Sequence, residues 1–162
     1  MRSLTSEIRN GLRLVAFVSA IVVGSVAAAQ DVPSVVLPMT PNEMEWRSQG
    51  GLTVPGLEQL NLVGDPAMPG PYTIRLRFPK GFRIAPHTHP DSREVTIISG
   101  VFATGYGRRF EASNLKILPA GSFYTEPANV PHYIEIKEEV VLQVSGTGPS
   151  GRRYVNPHDE AK

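Results

Sequence analysis

Alternation of apolar and polar residues dominates the chain beyond its first thirty positions. From Tyr72 to Phe78 an apolar side chain occupies every second position, and a period of two predicts a half-buried β-strand. Further β-rich runs follow at Glu94 to Phe102, Leu115 to Leu118, His132 to Ile136 and Val140 to Ser145. No long segment after the first thirty residues repeats apolar side chains at helical spacing. Many short strands separated by turn residues predict an all-β protein, either a sandwich or a barrel.

The first thirty residues follow a different pattern. Arg2, Arg9 and Arg13 precede an uncharged, mostly apolar run of 16 residues from Leu14 to Ala29, which closes on three alanines. This arrangement predicts a cleavable secretory signal peptide at residues 1–29. A membrane anchor is the alternative, but the run falls short of the roughly 20 residues that a bilayer requires. We therefore expect a periplasmic or secreted protein with no membrane partner after cleavage.

The remaining 133 of the 162 residues fall within the size range of one domain. Residues 30–70 are rich in Pro and Gly and carry only short apolar pieces, which predicts an N-terminal arm with short strands. Residues 71–150 hold the predicted barrel strands, and residues 151–162 form a polar C-terminal tail.

Charge and composition exclude several classes of function. The chain has 16 basic and 15 acidic residues, and loss of the signal would leave 13 and 14. There is no basic patch with interleaved aromatic residues, so we expect no nucleic-acid partner. The chain has no cysteine, which excludes thiolate metal sites and cysteine nucleophiles. Any metal ligands must therefore be nitrogen or oxygen atoms.

Two of the chain's four histidines lie in the short stretch PHTHPDSRE. Residues i and i+2 of a strand share one face, so His87 and His89 would direct their imidazoles to one point, as a metal site requires. Glu94 has the opposite parity and can join them only if the chain turns first. Residues 90–92, Pro-Asp-Ser, supply the chemistry of such a turn.

A third histidine, His132, lies on a later predicted strand. It shares one face with Ile134 and Ile136, so it is expected to point into the core. Taken alone, an inward histidine is most often a hydrogen-bonded core residue. His132 is not the only such histidine, because the chain also has the His87–His89 pair, and together they favour a metal site.

Two motifs resemble those of the cupins, and the protein resembles small single-domain bacterial cupins of the RmlC-like jelly-roll superfamily. The residues that resemble the first cupin motif are Gly81, His87-x-His89, Glu94 and Gly100. Those that resemble the second are Gly121, Pro127-x-Asn129 and His132. The glutamate-to-glycine interval is one residue shorter than usual in the family. Asn129 replaces a usual glycine, and asparagine tolerates the left-handed backbone conformation better than most residues.

The resemblance covers about Tyr72 to Ser145 and implies a double-stranded β-helix, the cupin jelly-roll barrel. It further implies one divalent metal ion bound by four residues, His87, His89, Glu94 and His132. Fe or Mn is favoured for such donors, while Zn, Ni, Cu and Co also fit them. An octahedral ion with four protein ligands keeps two open positions, where a substrate with two oxygen atoms could bind. By analogy with small cupins we also expect a homodimer.

The lining of the pocket is predicted from strand parity. If Glu94 points inward, Thr96 and Ile98 share its face, and Phe78 and Ile134 face the core from other strands. Glu94 beside the open metal positions would also be the catalytic proton acceptor.

Three classes of function fit this site. The first is a metal-dependent dioxygenase or related oxidoreductase acting on a small bidentate oxygen-containing substrate. The second is an isomerase or lyase that uses the metal as a Lewis acid on a keto sugar or keto acid. The third is a non-catalytic protein that binds a metal or a small molecule, since one fold hosts many functions. We favour the first because the predicted pocket is apolar and lacks an inward cluster of Lys or Arg.

Overall fold

The structure, a computed structural model, describes residues 38–48 and 56–159. Within these ranges three short 3-10 turns lie at Pro41–Glu43, Ala112–Asn114 and Pro157–Asp159. The strands of the same ranges are β1 Arg47–Ser48, β2 Glu58–Val63, β3 Gly70–Phe78, β4 Arg83–Thr88, β5 Arg93–Ser99, β6 Val101–Tyr106, β7 Lys116–Pro119, β8 Phe123–Glu126, β9 His132–Ile136, β10 Val140–Gly148 and β11 Arg153–Tyr154. The predicted signal peptide lies outside the described residues. In the described part no helix has the length and apolar character needed to cross a bilayer.

The strands form two antiparallel sheets. One has the order β1-β2-β3-β10-β5-β8 and the other the order β11-β4-β9-β6-β7. Apolar side chains from both sheets form one buried cluster, which includes Ile74 and Val144 from the first sheet and Phe102 and Ile136 from the second. This architecture confirms the predicted all-β jelly roll.

Strand β3 shows why the alternating pattern forms a sheet with one buried face. Tyr72, Ile74 and Phe78 are buried, as the period of two predicts. Burial of each large apolar side chain stabilises the fold by roughly 1.5–3 kcal/mol. The strand pairs with β10 from Phe78 opposite Val140 to Gly70 opposite Gly148. This long pairing anchors the sheet that carries β5 and β8.

Two tight turns in the motif regions require residues that tolerate a positive φ. Gly100, between β5 and β6, has φ +77°, and a Cβ there would lie 1.9 Å from the carbonyl oxygen of Glu139. Only glycine fits such an approach. Asn129 has φ +60°, which confirms that asparagine supplies the left-handed turn in the second motif.

Both predicted flanking segments contribute strands to the sheets. Within the predicted arm, β2 pairs with β3. Within the predicted polar tail, β11 pairs with β4 and places Tyr154 opposite His87. The tail is therefore partly structural and reaches the histidines, whereas the domain boundaries and the homodimer stay predictions.

Candidate metal centre

Three buried histidines converge at one end of the second sheet. His87 on β4 lies directly opposite His132 on β9, and their ring centroids are 4.3 Å apart. His89 follows the end of β4, with ring centroids 5.0 Å from His87 and 5.2 Å from His132. One nitrogen of each ring lies within 4.8 Å of the corresponding atoms of the others, a grouping that could hold a metal ion. The structure thus brings together three of the four predicted ligands.

Backbone carbonyl groups orient all three imidazoles. The Nδ1 atom of His87 lies 2.8 Å from the oxygen of Ala85, that of His89 2.5 Å from the oxygen of Gly151, and that of His132 3.2 Å from the oxygen of Val130. Because a carbonyl oxygen only accepts hydrogen bonds, each Nδ1 carries the proton and donates it. In the neutral rings each Nε2 then presents a lone pair, as metal-ligating histidines require.

The surroundings of the site favour neutral imidazoles. Burial, together with the neighbouring His132 and His89, holds the pKa of His87 well below its usual value. Burial and the nearby Arg93 lower the pKa of His89 to about 3. Metal ions bind neutral imidazole, so these rings need not lose a ring proton before binding near neutral pH.

The structure corrects the prediction for Glu94. Val95 and Ile97 on β5 are buried in the core, so the alternation of the strand turns Glu94 outward, where it is exposed. Glu94 therefore lies outside the histidine cluster and is not in a position to bind the same metal or to act as its proton acceptor. The side chain of β5 that points toward the histidines is that of Arg93, one residue earlier.

A different carboxylate, that of Glu126, lies beside the histidines. It lies at the end of β8 and is 3% exposed. Its Oε1 atom lies 3.3 Å from Nε2 of His132, and its Oε2 atom lies 3.8 Å from Nε2 of His89. The Tyr124 hydroxyl donates a 2.7 Å hydrogen bond to Oε1. Glu126 and Tyr124 stand two residues apart on one strand face, which is the only sequence signal for this pair.

Arg93 and Glu126 form a buried ion pair beside the histidines. The Nε atom of Arg93 donates to Oε2 of Glu126 at 2.7 Å, and its Nη2 contacts both that oxygen and Nε2 of His89. Burial opposes ionisation of Glu126, but the neighbouring guanidinium of Arg93 holds the pKa of this carboxyl well below its usual value. The carboxylate is therefore charged.

The donor set fits a bound cation. The buried Nε2 of His132 has no hydrogen-bond partner in the described part of the protein, although Oε1 of Glu126 lies 3.3 Å away. With the ring proton on Nδ1, both of these facing atoms are acceptors and repel each other. A divalent cation between them would satisfy both, whereas an unsatisfied buried polar atom costs about 1–3 kcal/mol.

A cavity of about 940 Å³ opens beside the histidines. Of the predicted pocket residues, Phe78 and Ile134 line it. Thr96 and Ile98 share the outward face of β5 with Glu94 and do not line it, and Ile98 is 41% exposed. The prediction that Thr96 and Ile98 line the pocket was therefore wrong, because both lie on the outward face of β5. The cavity is walled mainly by apolar side chains from both sheets, among them Ile74, Phe102, Leu142 and Val144.

Sequence comparison identifies one family that matches most of the chain. The ChrR cupin-like domain matches residues 36–151, a range that includes all three histidines, Arg93 and Glu126. No curated protein matches the chain in sequence.

Solved structures share the fold at low sequence identity. An RmlC-like cupin from Shewanella frigidimarina has a TM-score of 0.53 and 20% identity, over 67% of this chain and 87% of that one. The polyketide cyclase RemF from Streptomyces resistomycificus has a TM-score of 0.63 and 12% identity, over 78% and 90%. A salicylate 1,2-dioxygenase from Pseudaminobacter salicylatoxidans has a TM-score of 0.51 and 16% identity, over 63% of this chain but 31% of that one.

We predict that Glu126→Gln weakens binding of a divalent metal by roughly 10- to 100-fold, the effect typical of losing a partner in a metal site. Glutamine keeps the shape of the side chain but removes the charge that offsets the cation. Glu94→Gln, a matched change on the outward face of the same sheet, should leave affinity within about twofold. Competition with a chelator measures both affinities. Equal metal binding by wild type and Glu126→Gln would exclude Glu126 from the site.

We predict the opposite effect for Arg93→Met. The guanidinium occupies the lone pair of His89 Nε2 and repels an incoming cation, so its removal should tighten metal binding by about tenfold or more. Methionine fills much of the vacated space. Arg83→Met, which removes an exposed arginine paired with Glu135, is the control and should not change metal affinity. Weaker binding by Arg93→Met would mean that the ion pair holds Glu126 in its ligating position.

Proposed function

The chain belongs to the ChrR cupin-like domain family, and we propose that it is an exported metal-dependent oxidoreductase of the dioxygenase type. Its substrate is a small organic molecule with two neighbouring oxygen donors. The observation that carries the proposal is the convergence of three buried histidines, two of which, His87 and His89, line a large, mainly apolar cavity. A site of this kind joins metal ligands to a space that holds a small molecule.

His87, His89 and His132 would hold the ion, with Glu126 as the adjoining carboxylate. A redox-active divalent ion such as Fe or Mn supplies Lewis acidity and electron transfer when bound, and Zn, Ni, Cu and Co suit the same donors. The hydrogen bonds from each Nδ1 to the backbone keep the rings in the orientation that binding requires.

Glu126 contributes charge and ligation rather than proton abstraction. Its pKa is held well below the usual value because Arg93 outweighs the effect of burial, and a carboxylate with a low pKa is a weak base. Tyr124, whose pKa is raised well above its usual value by burial and by Glu126, stays protonated and donates to that carboxylate. This hydrogen bond from Tyr124 fixes the position of the Glu126 carboxylate during turnover.

The cavity walls favour a substrate rich in hydrocarbon over a sugar. Phe78, Phe102 and Leu142 line the space beside the histidines, and such walls favour the burial of apolar surface. A dioxygenase is among the proteins that share the fold, although this likeness supports the fold alone. The apolar lining is the specific reason to favour an oxidoreductase over an isomerase of keto sugars.

Turnover should require both oxygen and the histidine cluster. We expect the iron- or manganese-loaded protein to consume one small chelating substrate from a panel of diketones, flavonols, hydroxy acids and uronates in air, and to leave it unchanged under argon. Oxygen uptake and product analysis by mass spectrometry measure this, with His132→Ala as the inactive control. Equal turnover in air and under argon would indicate an isomerase or a lyase instead.

Export rests on the first 29 residues, which lie outside the described part of the chain. We expect the full chain, expressed in a Gram-negative host, to accumulate in the periplasm with an N-terminus at Gln30 after cleavage at the alanine run. Cell fractionation and N-terminal sequencing check this. Replacing Leu14 to Ala29 with a polar segment should retain the protein in the cytoplasm, and an unprocessed cytoplasmic wild-type chain would contradict export.

A further inference from the structure

A second arginine reaches the metal-site cavity from the C-terminal segment. Arg152 lies between β10 and β11 and is partly buried, and it lines the same cavity as His87, His89 and Arg93. Its position depends on β11, which places Tyr154 opposite His87. The segment that we had predicted to be a solvated tail therefore brings a cation to the metal site.

The guanidinium of Arg152 has no anionic partner among the described residues, whereas that of Arg93 is paired with Glu126. The contact that holds Arg152 is the ring of Tyr154, whose centroid lies 5.4 Å from the guanidinium carbon. Tyr154 in turn lies 6.1 Å from the ring of His87. A cation held against an aromatic face leaves its hydrogen-bond donors free for a ligand.

The charges around this end of the cavity do not balance. Burial and the nearby Arg93 lower the pKa of Arg152, yet a guanidinium stays charged at neutral pH. Two arginines and a divalent ion would face the buried carboxylate of Glu126, and the second buried carboxylate nearby, that of Asp91, already accepts hydrogen bonds from Tyr72 and Ser150. The acidic residues elsewhere on the lining, Glu43, Glu45 and Asp65, are exposed, and water and salt screen their charges.

We propose that Arg152 binds a carboxylate of the substrate, so that the substrate of this site is a small organic acid. The guanidinium fork matches the two oxygens of a carboxylate. The second oxygen donor of the acid then faces the histidines, and its hydrocarbon body lies against Phe78, Phe102 and Leu142. This inference rests on the proposed function for the role of the metal, but the pairing of Arg152 with a carboxylate requires no metal.

Two pairs of probes separate charge from shape: benzoate with benzamide, and salicylate with salicylamide. Each acid and its amide have nearly the same size, but only the acid is anionic. Calorimetric titration of the wild-type protein, loaded with Zn²⁺ to prevent redox turnover, should show at least one acid binding about tenfold or more tightly than its amide. Arg152→Gln should remove that preference and leave the affinity for the amide unchanged.

Arg153→Gln is the matched control, since Arg153 is the next residue and is exposed. It should keep the wild-type preference, and thermal unfolding should show that both variants are folded. The inference is overturned if Arg152→Gln and Arg153→Gln bind the acids equally well, or if wild type binds neither acid more tightly than its amide.

Repeating the titrations in chelator distinguishes this inference from the proposed function. A preference for the acid that depends on Arg152 and persists without metal supports the anion site, even if the histidines prove not to bind a metal. A protein that binds metal through its histidines but recognises acid and amide equally keeps the metal site and loses the inference.

Discussion

The charge at the candidate metal centre is set by the buried ion pair of Arg93 and Glu126. Removing two charges from water costs several kcal/mol per ion, and close pairing with further hydrogen bonds is what offsets this cost. Here the 2.7 Å contact from Nε of Arg93 and the Tyr124 hydroxyl provide that compensation. The pair joins β5 to β8, and Oε1 of Glu126 lies 3.3 Å from Nε2 of His132, so that the first sheet supplies charge to histidines borne by the second.

Hydrogen bonds to the backbone of the barrel hold the histidines in position. His89 depends on the carbonyl of Gly151, and the preceding Ser150 donates a 2.7 Å hydrogen bond to Asp91. Tyr72 on β3 donates a 2.6 Å bond to the same carboxylate. The turn after His89, the C-terminal segment and the central strand are thus joined by one buried network. The same network places the backbone that carries Arg152, so the orientation of the metal ligands and the proposed anion site share one support.

Much of the fold follows from local patterns in the sequence. The alternation in β3, the turn at Gly100 and the left-handed Asn129 are consequences of side-chain chemistry over a few residues, and the structure confirms them. The pair His87 and His89 was predictable for the same reason. Glu94 was not placed correctly because motif spacing outweighed parity, although Val95 and Ile97 offer two apolar side chains to the core and the face of Glu94 offers one. The role of Glu126 was missed because Tyr124 is the only signal near it in the sequence, and its cross-strand partner Arg93 lies 33 residues away.

The sequence by itself determined the alternating strands β3, β9 and β10, the turns at Gly100 and Asn129 and the three clustered histidines, since period-two patterning and backbone conformation act locally. Only the tertiary structure decided which charged residues surround those histidines. Arg93, Glu126 and Arg152 come from three separate strands or connecting segments. Their meeting depends on the pairing of β5 with β8, which sets Arg93 opposite Glu126, on how this sheet faces the histidines of the other sheet, and on where β11 pairs. Such pairings join residues that lie far apart in the sequence, and they are not encoded in the spacing of residues along the chain.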